Sequence, residues 1–137
     1  MRQIYKNCRI EGSVDFIFGC ADALFDNCQI HSVYDGRDIG YVAAPAHGLS
    51  QEAGFHFRAC RLTGGENVAP QSVFLARPWR DHGLCRFEDC VYADHIRDAG
   101  FDKWGDTHRD KTARFFENPA LDGRVPWINR TREDDTL

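Results

Sequence analysis

The sequence predicts an all-β protein, a right-handed parallel β-helix in which the chain winds through successive coils. The main observation is an internal repeat, because one short cysteine-containing motif recurs four times along the chain. A second is that no segment shows sustained helical periodicity, whereas short segments alternate apolar and polar residues. The third is length, since 137 residues are enough for one domain with a core and too few for two.

The repeated motif consists of an aromatic residue, two mostly polar residues, Cys, a variable residue and a large apolar one. Its copies contain Cys8, Cys28, Cys60 and Cys90, separated by 20, 32 and 30 residues. An interval near 20 fits one coil of a β-helix, and the longer intervals fit coils with a loop inserted at one corner. Equivalent positions in successive coils lie ~4.8 Å apart, so we expect the four cysteines to stack inside the solenoid as small apolar side chains.

The repeat places strands over residues 3–10, 23–30, 54–62 and 84–92. Segments rich in Gly, Asp, Asn and Pro separate them, and we expect these loops to form the walls of a binding groove. Trp104 lies in one such loop, where a lid over the core and a platform for a sugar ring remain equal alternatives. Residues 112–118 are expected to form a short turn or helix.

The cysteines do not resemble a disulfide framework or a zinc site, because no two are separated by two residues. Metal or redox chemistry at the four repeated cysteines is the alternative to a packed ladder, and we predict no metal site. Cys20 and Cys85 fall outside the repeat, and no role is assigned to them.

Composition excludes several other classes of function. A net charge of −4 gives no basic surface for nucleic acid, and no apolar stretch approaches the ~18 residues that span a membrane. The first residues have no apolar core of a signal peptide. The charged residues 129–137 are expected to form a solvated tail after a single domain over 1–128.

Residues 12–19, Gly-Ser-Val-Asp-Phe-Ile-Phe-Gly, place a carboxylate inside an apolar run. Asp is depleted in strands, and a buried charge needs a compensating partner. Asp15 is therefore expected to have a cation or several hydrogen-bond donors close by. The alternative is a structural aspartate that caps a turn made by Gly12 and Ser13.

Residues 74–80, Phe-Leu-Ala-Arg-Pro-Trp-Arg, contain a candidate partner. Arg77 precedes a proline, which favours an extended backbone, and its planar guanidinium suits a two-point grip on a carboxylate. Trp79 would point the same way if the strand continued, and a flat indole suits a carbohydrate groove. An ordinary ion pair beside a core tryptophan explains these residues equally well.

Together these segments resemble the pectin methylesterases (pectinesterases), a family of carbohydrate esterases. Residues 12–19 are similar to the family's Gly-(Thr/Ser)-Val-Asp-Phe-Ile-Phe-Gly block, and Leu75–Trp79 to its Leu-Gly-Arg-Pro-Trp block. The blocks occur in the family's order, with the cysteine repeat between them, and the resemblance covers roughly residues 2–128. It implies a β-helix fold, as the repeat does independently.

The resemblance also implies roles for individual residues. Asp15 matches the nucleophile that attacks a galacturonate methyl ester, and Arg77 matches the arginine that keeps this carboxylate ionised and oriented. Trp79 matches a groove aromatic, and Phe18 is a weaker candidate for the groove wall. The implied products are methanol and de-esterified pectin, with a methylated polygalacturonate as partner and no cofactor. Secretion is expected for the family, and the complete protein is expected to be a monomer.

The sequence departs from the family pattern in one important respect. The family's acid/base aspartate lies in a Gln-Asp block about one coil before the nucleophile, and residues 1–14 contain no such block. We therefore expect a β-helix that lacks its N-terminal coils, has an open strand edge, and is weak or inactive as an isolated chain. The alternatives are a catalytically dead pectin-binding β-helix and a related thioesterase.

Overall fold

The computed structural model describes residues 2–130, so most of the predicted charged tail lies outside the described residues. Within this range the chain forms twelve β-strands and one 3-10 turn at Arg109–Lys111, with no α-helix. The strands are β1 Arg2–Lys6, β2 Arg9–Gly12, β3 Val14–Gly19, β4 Asp22–Asp26, β5 Gln29–Ser32, β6 Gly40–Pro45, β7 Phe55–Arg58, β8 Arg61–Gly64, β9 Val73–Ala76, β10 Leu84–Glu88, β11 Val91–Tyr92 and β12 Arg114–Asn118. None of the helical structure in residues 2–130 is long and apolar enough to cross a membrane.

The strands pair in parallel to form a β-solenoid of about four coils, which confirms the predicted fold class. The first sheet has the order β1-β4-β7-β10-β12, the second β11-β8-β5-β2 and the third β3-β6-β9. Each of the first three coils contributes one strand to each sheet in turn, so residues far apart in sequence become neighbours at equivalent positions. The third sheet carries the candidate site.

Each predicted strand is in fact two strands joined at a sharp corner. The corner residue precedes the repeated cysteine and has a left-handed backbone, with φ between 52° and 57° at Asn7, Asn27, Ala59 and Asp89. Asn and Asp tolerate this conformation better than most residues, which explains three of the four corners. The prediction for residues 112–118 was wrong, because Arg114–Asn118 forms β12 and pairs with β10.

The interior of the solenoid contains two files of stacked side chains. Cys28 and Cys60 are fully buried, Cys8 and Cys90 are partly buried at the two ends, and all four are free thiols. This confirms the predicted ladder. A parallel file of aromatic rings stacks at centroid distances of 5.1, 4.7 and 4.5 Å; it consists of Tyr5, Phe25, Phe57 and Phe87. Offset stacking of this kind favours one register between coils.

The first coil is the most exposed part of the solenoid. All five residues of β1 are exposed, with Ile4 at 66%. At this end, apolar side chains that include Tyr5, Phe16 and Phe25 line an open hollow of about 330 Å³. Within residues 2–130, β1, β2 and β3 are therefore edge strands whose inner side chains are covered on one side only.

Candidate active site

Asp15 lies on β3 at a local irregularity of the third sheet. The register between β3 and β6 shifts between Val14 and Ile17, and Asp15 has a φ of 51°. A left-handed aspartate at a bulge is a strained arrangement that is common beside functional sites, because a bulge redirects a side chain out of the regular pleat. The Asp15 carboxylate binds a residue that is distant in sequence. This tertiary contact, and not a turn at Gly12 and Ser13, holds it in place.

Arg77 supplies that contact with a two-point ion pair. Its Nε donates to Oδ1 of Asp15 at 3.1 Å, and its Nη2 donates to Oδ2 at 2.6 Å. The two side chains are 20% and 22% exposed, so the pair is partly shielded from water but still reachable. A planar guanidinium held in this way fixes the orientation of the carboxylate.

Two aromatic rings hold the guanidinium in turn. The central carbon of the Arg77 guanidinium lies 3.7 Å from the ring centroid of Tyr41 and 3.9 Å from that of Trp104. Cation–π contacts on two rings restrict the arginine and exclude water from it. Tyr41 also stacks on Phe74 at 5.3 Å, and burial raises the pKa of its hydroxyl.

A cleft of about 330 Å³ opens over this pair. Its lining consists of Asp15, Phe18, Ala44, Trp79 and Trp104. Phe18 is 63% exposed and contacts Trp79 edge to face, at a centroid distance of 5.8 Å. An oriented carboxylate at the base of an aromatic cleft is suited to nucleophilic attack on a substrate whose rings stack on those aromatics.

The structure thus brings together all five residues that the sequence singled out. Asp15 and Arg77 form the ion pair, and Phe18, Trp79 and Trp104 line the cleft beside it. Trp79 reaches the cleft although β9 ends at Ala76, so continuation of the strand was the wrong reason for its position.

Tyr41 is the contact that sequence reasoning missed. It lies on β6, between Val14 of β3 and Phe74 of β9, and its place under Arg77 depends on that register. An aromatic residue in a strand whose neighbours carry the candidate residues was the available signal. Among residues 2–130, no group of three or more His, Cys, Asp or Glu side chains could hold a metal ion.

Comparison with known proteins shows the family to which the chain belongs. The pectinesterase family profile matches residues 1–128. Pectinesterase 31 of Arabidopsis thaliana is 33% identical over an alignment of 141 positions. The alignment covers 98% of this chain and 43% of that protein. The pectin methylesterase from carrot superimposes with a TM-score of 0.84 at 25% identity, over 97% of this chain and 47% of its own.

A further neighbour is a pectin methylesterase solved in complex with hexasaccharide VII. It matches with a TM-score of 0.76 at 25% identity, over 98% of this chain and 50% of that chain. The chain therefore spans about half or less of the length of the relatives it matches. Its sequence, its solenoid fold and the extent of the family match agree, and the chain belongs to the pectinesterase family.

Proposed function

We propose that this chain carries the nucleophile of a pectin methylesterase, with Asp15 attacking the methyl ester of a galacturonate residue. The observation that supports this most directly is the two-point Arg77–Asp15 pair at the base of an aromatic cleft. Membership in the pectinesterase family supports an ester of pectin as the substrate. The chain spans only part of the length of its relatives, so pectin methylesterase activity of the whole protein is likewise proposed.

The reaction begins when one Asp15 oxygen attacks the ester carbonyl carbon and forms a tetrahedral intermediate. The bond to the methoxy oxygen then breaks, and that oxygen takes up a proton to leave as methanol. The remaining acyl group is joined to Asp15 as an anhydride. Water then attacks the sugar carbonyl, which releases a galacturonate carboxylate and restores the Asp15 carboxylate. This step releases two protons, one of which replaces the proton that the methoxy oxygen took up.

Arg77 orients the carboxylate and balances its charge, while the cleft aromatics hold the sugar chain. Phe18, Trp79 and Trp104 present ring faces or edges to the cleft, and sugar rings have apolar faces that pack on such surfaces. A structural neighbour crystallised with a hexasaccharide supports a polysaccharide as the partner.

The proton needed by the methoxy group limits the rate. Among the described residues that line the cleft, Asp15 is the only acid, so the cleft has no second group for proton transfer. Loss of a proton-transfer partner costs about 10²–10⁴-fold in rate. We therefore propose slow turnover by this chain alone, and the same observation favours pectin binding without turnover as a second candidate function.

The test measures methanol release from highly methylated pectin by the chain, beside its Asp15→Asn variant. The matched control is Asp26→Asn, which removes another arginine-paired aspartate, since Asp26 binds Arg58 away from the cleft. We expect slow release that Asp15→Asn abolishes and Asp26→Asn leaves unchanged. Release that persists in Asp15→Asn would refute the nucleophile, and pectin binding with no release would favour the second candidate.

A further inference from the structure

Cys60 and Cys90 are neighbours in the cysteine ladder, and their thiols share a hydrogen bond. The backbones on either side of the pair are also joined. The N–H of Val91 donates to the carbonyl oxygen of Cys60, and the N–H of Ala59 donates to that of Glu88, each at 2.9 Å. The two thiols therefore meet where the third coil is fixed to the fourth.

The geometry of this pair suits a disulfide bond. Arg61 lies opposite Val91 in the parallel register, so Cys60 and Cys90 occupy equivalent positions of adjacent coils. Such positions lie about 4.8 Å apart, within the range of about 4.4–6.8 Å that a disulfide needs between Cα atoms. The sulfur of Cys90 is directed back toward the third coil, 3.4 Å from the carbonyl oxygen of Phe57. A bond between the two sulfurs thus needs rotation of two small side chains and little movement of the backbone.

The same pair differs from the other buried cysteines in reactivity. The shared hydrogen bond lowers the pKa of Cys60 and raises the pKa of Cys90, because the thiol that donates stabilises the thiolate that accepts. At Cys28 and Cys85, by contrast, burial raises the pKa and disfavours the thiolate, which is the reactive form. Cys60 is fully buried, but Cys90 is partly exposed at the end of the ladder, so a small oxidant reaches the pair from that end.

We propose that Cys60 and Cys90 form a redox modification site, a dithiol that hydrogen peroxide closes to a disulfide between the third and fourth coils. One sulfur attacks a peroxide oxygen, which gives a sulfenic acid and one water. The second sulfur then attacks the sulfenic sulfur, so that an S–S bond forms and an S–O bond breaks. The hydroxyl group takes the second thiol proton and leaves as water. Two thiols are oxidised and one peroxide is reduced to two waters.

The disulfide has a consequence for the coil that carries the candidate site. It closes a loop over the intervening residues 61–89, which contain β8, β9 and Arg77. A cross-link of this kind stabilises mainly by restricting the unfolded chain. The oxidised chain should therefore unfold at a urea concentration about 1 M higher than the reduced chain. This inference does not depend on the reaction proposed for Asp15.

The test treats the reduced chain with hydrogen peroxide, alkylates the remaining thiols in denaturant and digests the product with trypsin without reduction. Trypsin places Cys60 in the peptide 59–61 and Cys90 in the peptide 87–97, each with no other cysteine. We expect mass spectrometry to find these two peptides joined, two hydrogens lighter than their sum. Dithiothreitol should separate them and return the urea midpoint to its reduced value.

Cys90→Ser should abolish both the joined peptides and the rise in the urea midpoint. It is a mild change, since this side chain is only partly buried. The matched control is Cys8→Ser, at the partly buried opposite end of the ladder, which should retain both effects. The proposal is overturned if peroxide joins a different pair of cysteines, if it adds only oxygen to Cys60 or Cys90, or if both remain open to alkylation.

Discussion

Trp104 covers Arg77, with its ring centroid 3.9 Å from the central carbon of the guanidinium. Trp104 achieves this with a left-handed backbone, at a φ of 73°. That conformation costs a non-glycine residue about 1–2 kcal/mol. The loop therefore holds this indole against a local backbone preference, which indicates that its position over the arginine matters.

Trp104→Ala should weaken binding of a methylated galacturonate hexamer by about fivefold to tenfold, because it removes both a sugar platform and one ring that restrains Arg77. Trp104→Phe keeps a ring in the same place and should retain most of the affinity. Titration calorimetry measures both. Equal losses in the two variants would show that the aromatic face is not what the ligand uses.

The Asp15–Arg77 pair should show a coupling free energy of about 1–3 kcal/mol in a double-mutant cycle with Asp15→Asn and Arg77→Gln. Its two-point geometry and its low exposure of 22% and 20% justify this range. Urea unfolding of the four chains measures the coupling. The exposed Arg9–Glu11 pair, at 54% and 50%, is the matched control and should couple by less than about 0.5 kcal/mol. A coupling of similar size in both pairs would contradict the argument.

Gly54→Ala should destabilise the fold more than Gly105→Ala, by about 1–3 kcal/mol of unfolding free energy. Both glycines have a φ of +65°, so the backbone cost of alanine is the same at each. An added Cβ at Gly54 would lie 2.5 Å from Leu84, whereas nothing lies within 4 Å at Gly105. Denaturant unfolding of the two variants makes the comparison, and equal losses would refute the close contact between coils.

Acidification from pH 7.5 to 5.5 should lower the free energy of unfolding, with buried histidines as one cause. Burial lowers the pKa values of His47, His56 and His95. Above the unfolded pKa of about 6.5, both states are neutral at these rings and nothing is lost. Below it, the unfolded chain binds protons that the folded chain excludes, so stability falls by at most about 1.4 kcal/mol per pH unit for each histidine.

His47 is the clearest case for a variant. Its Nε2 lies 2.8 Å from the carbonyl oxygen of Ala21, and its Nδ1 accepts the backbone N–H of Leu84 at 3.3 Å. Only a neutral ring can do both. His47→Gln should therefore reduce the pH dependence of urea unfolding, whereas His108→Gln, at an exposed position, should not. An unchanged pH dependence in His47→Gln would exclude this ring as a contributor.

The fold could be predicted because the repeat places one residue type at one position of every coil. The four cysteines can be recognised as a stacked ladder from their local sequence motif alone, without knowledge of the contacts between coils. The corners were not predicted, because the backbone bend occurs inside the motif and at Ala59 no special residue marks it. Tyr41 was missed for another reason: its neighbours are set by the register between coils, which the unequal cysteine spacings leave open.

The candidate pair was predictable as a pair but its surroundings were not. A carboxylate in an apolar run needs a compensating cation. Arg77 was the candidate because it lies two residues before Trp79, a residue type suited to a carbohydrate groove. The bulge at Asp15 and the ring of Tyr41 beside the guanidinium arise only when three coils are aligned. Such features depend on tertiary geometry, and residue type alone carries little information about them.

The ion pair also changes how the solenoid is expected to open. In a repeat protein each coil normally interacts only with its immediate neighbours, so an end coil frays independently of distant ones. Here Asp15 belongs to the exposed first coil and Arg77 follows the strand of the third, so the ion pair crosses β6 of the second coil. Fraying of the first coil thus requires release of a charge anchored two coils away. A ligand bound in the cleft should therefore slow hydrogen exchange at the amides of β3. The order of this end of the molecule then depends on whether the site is occupied.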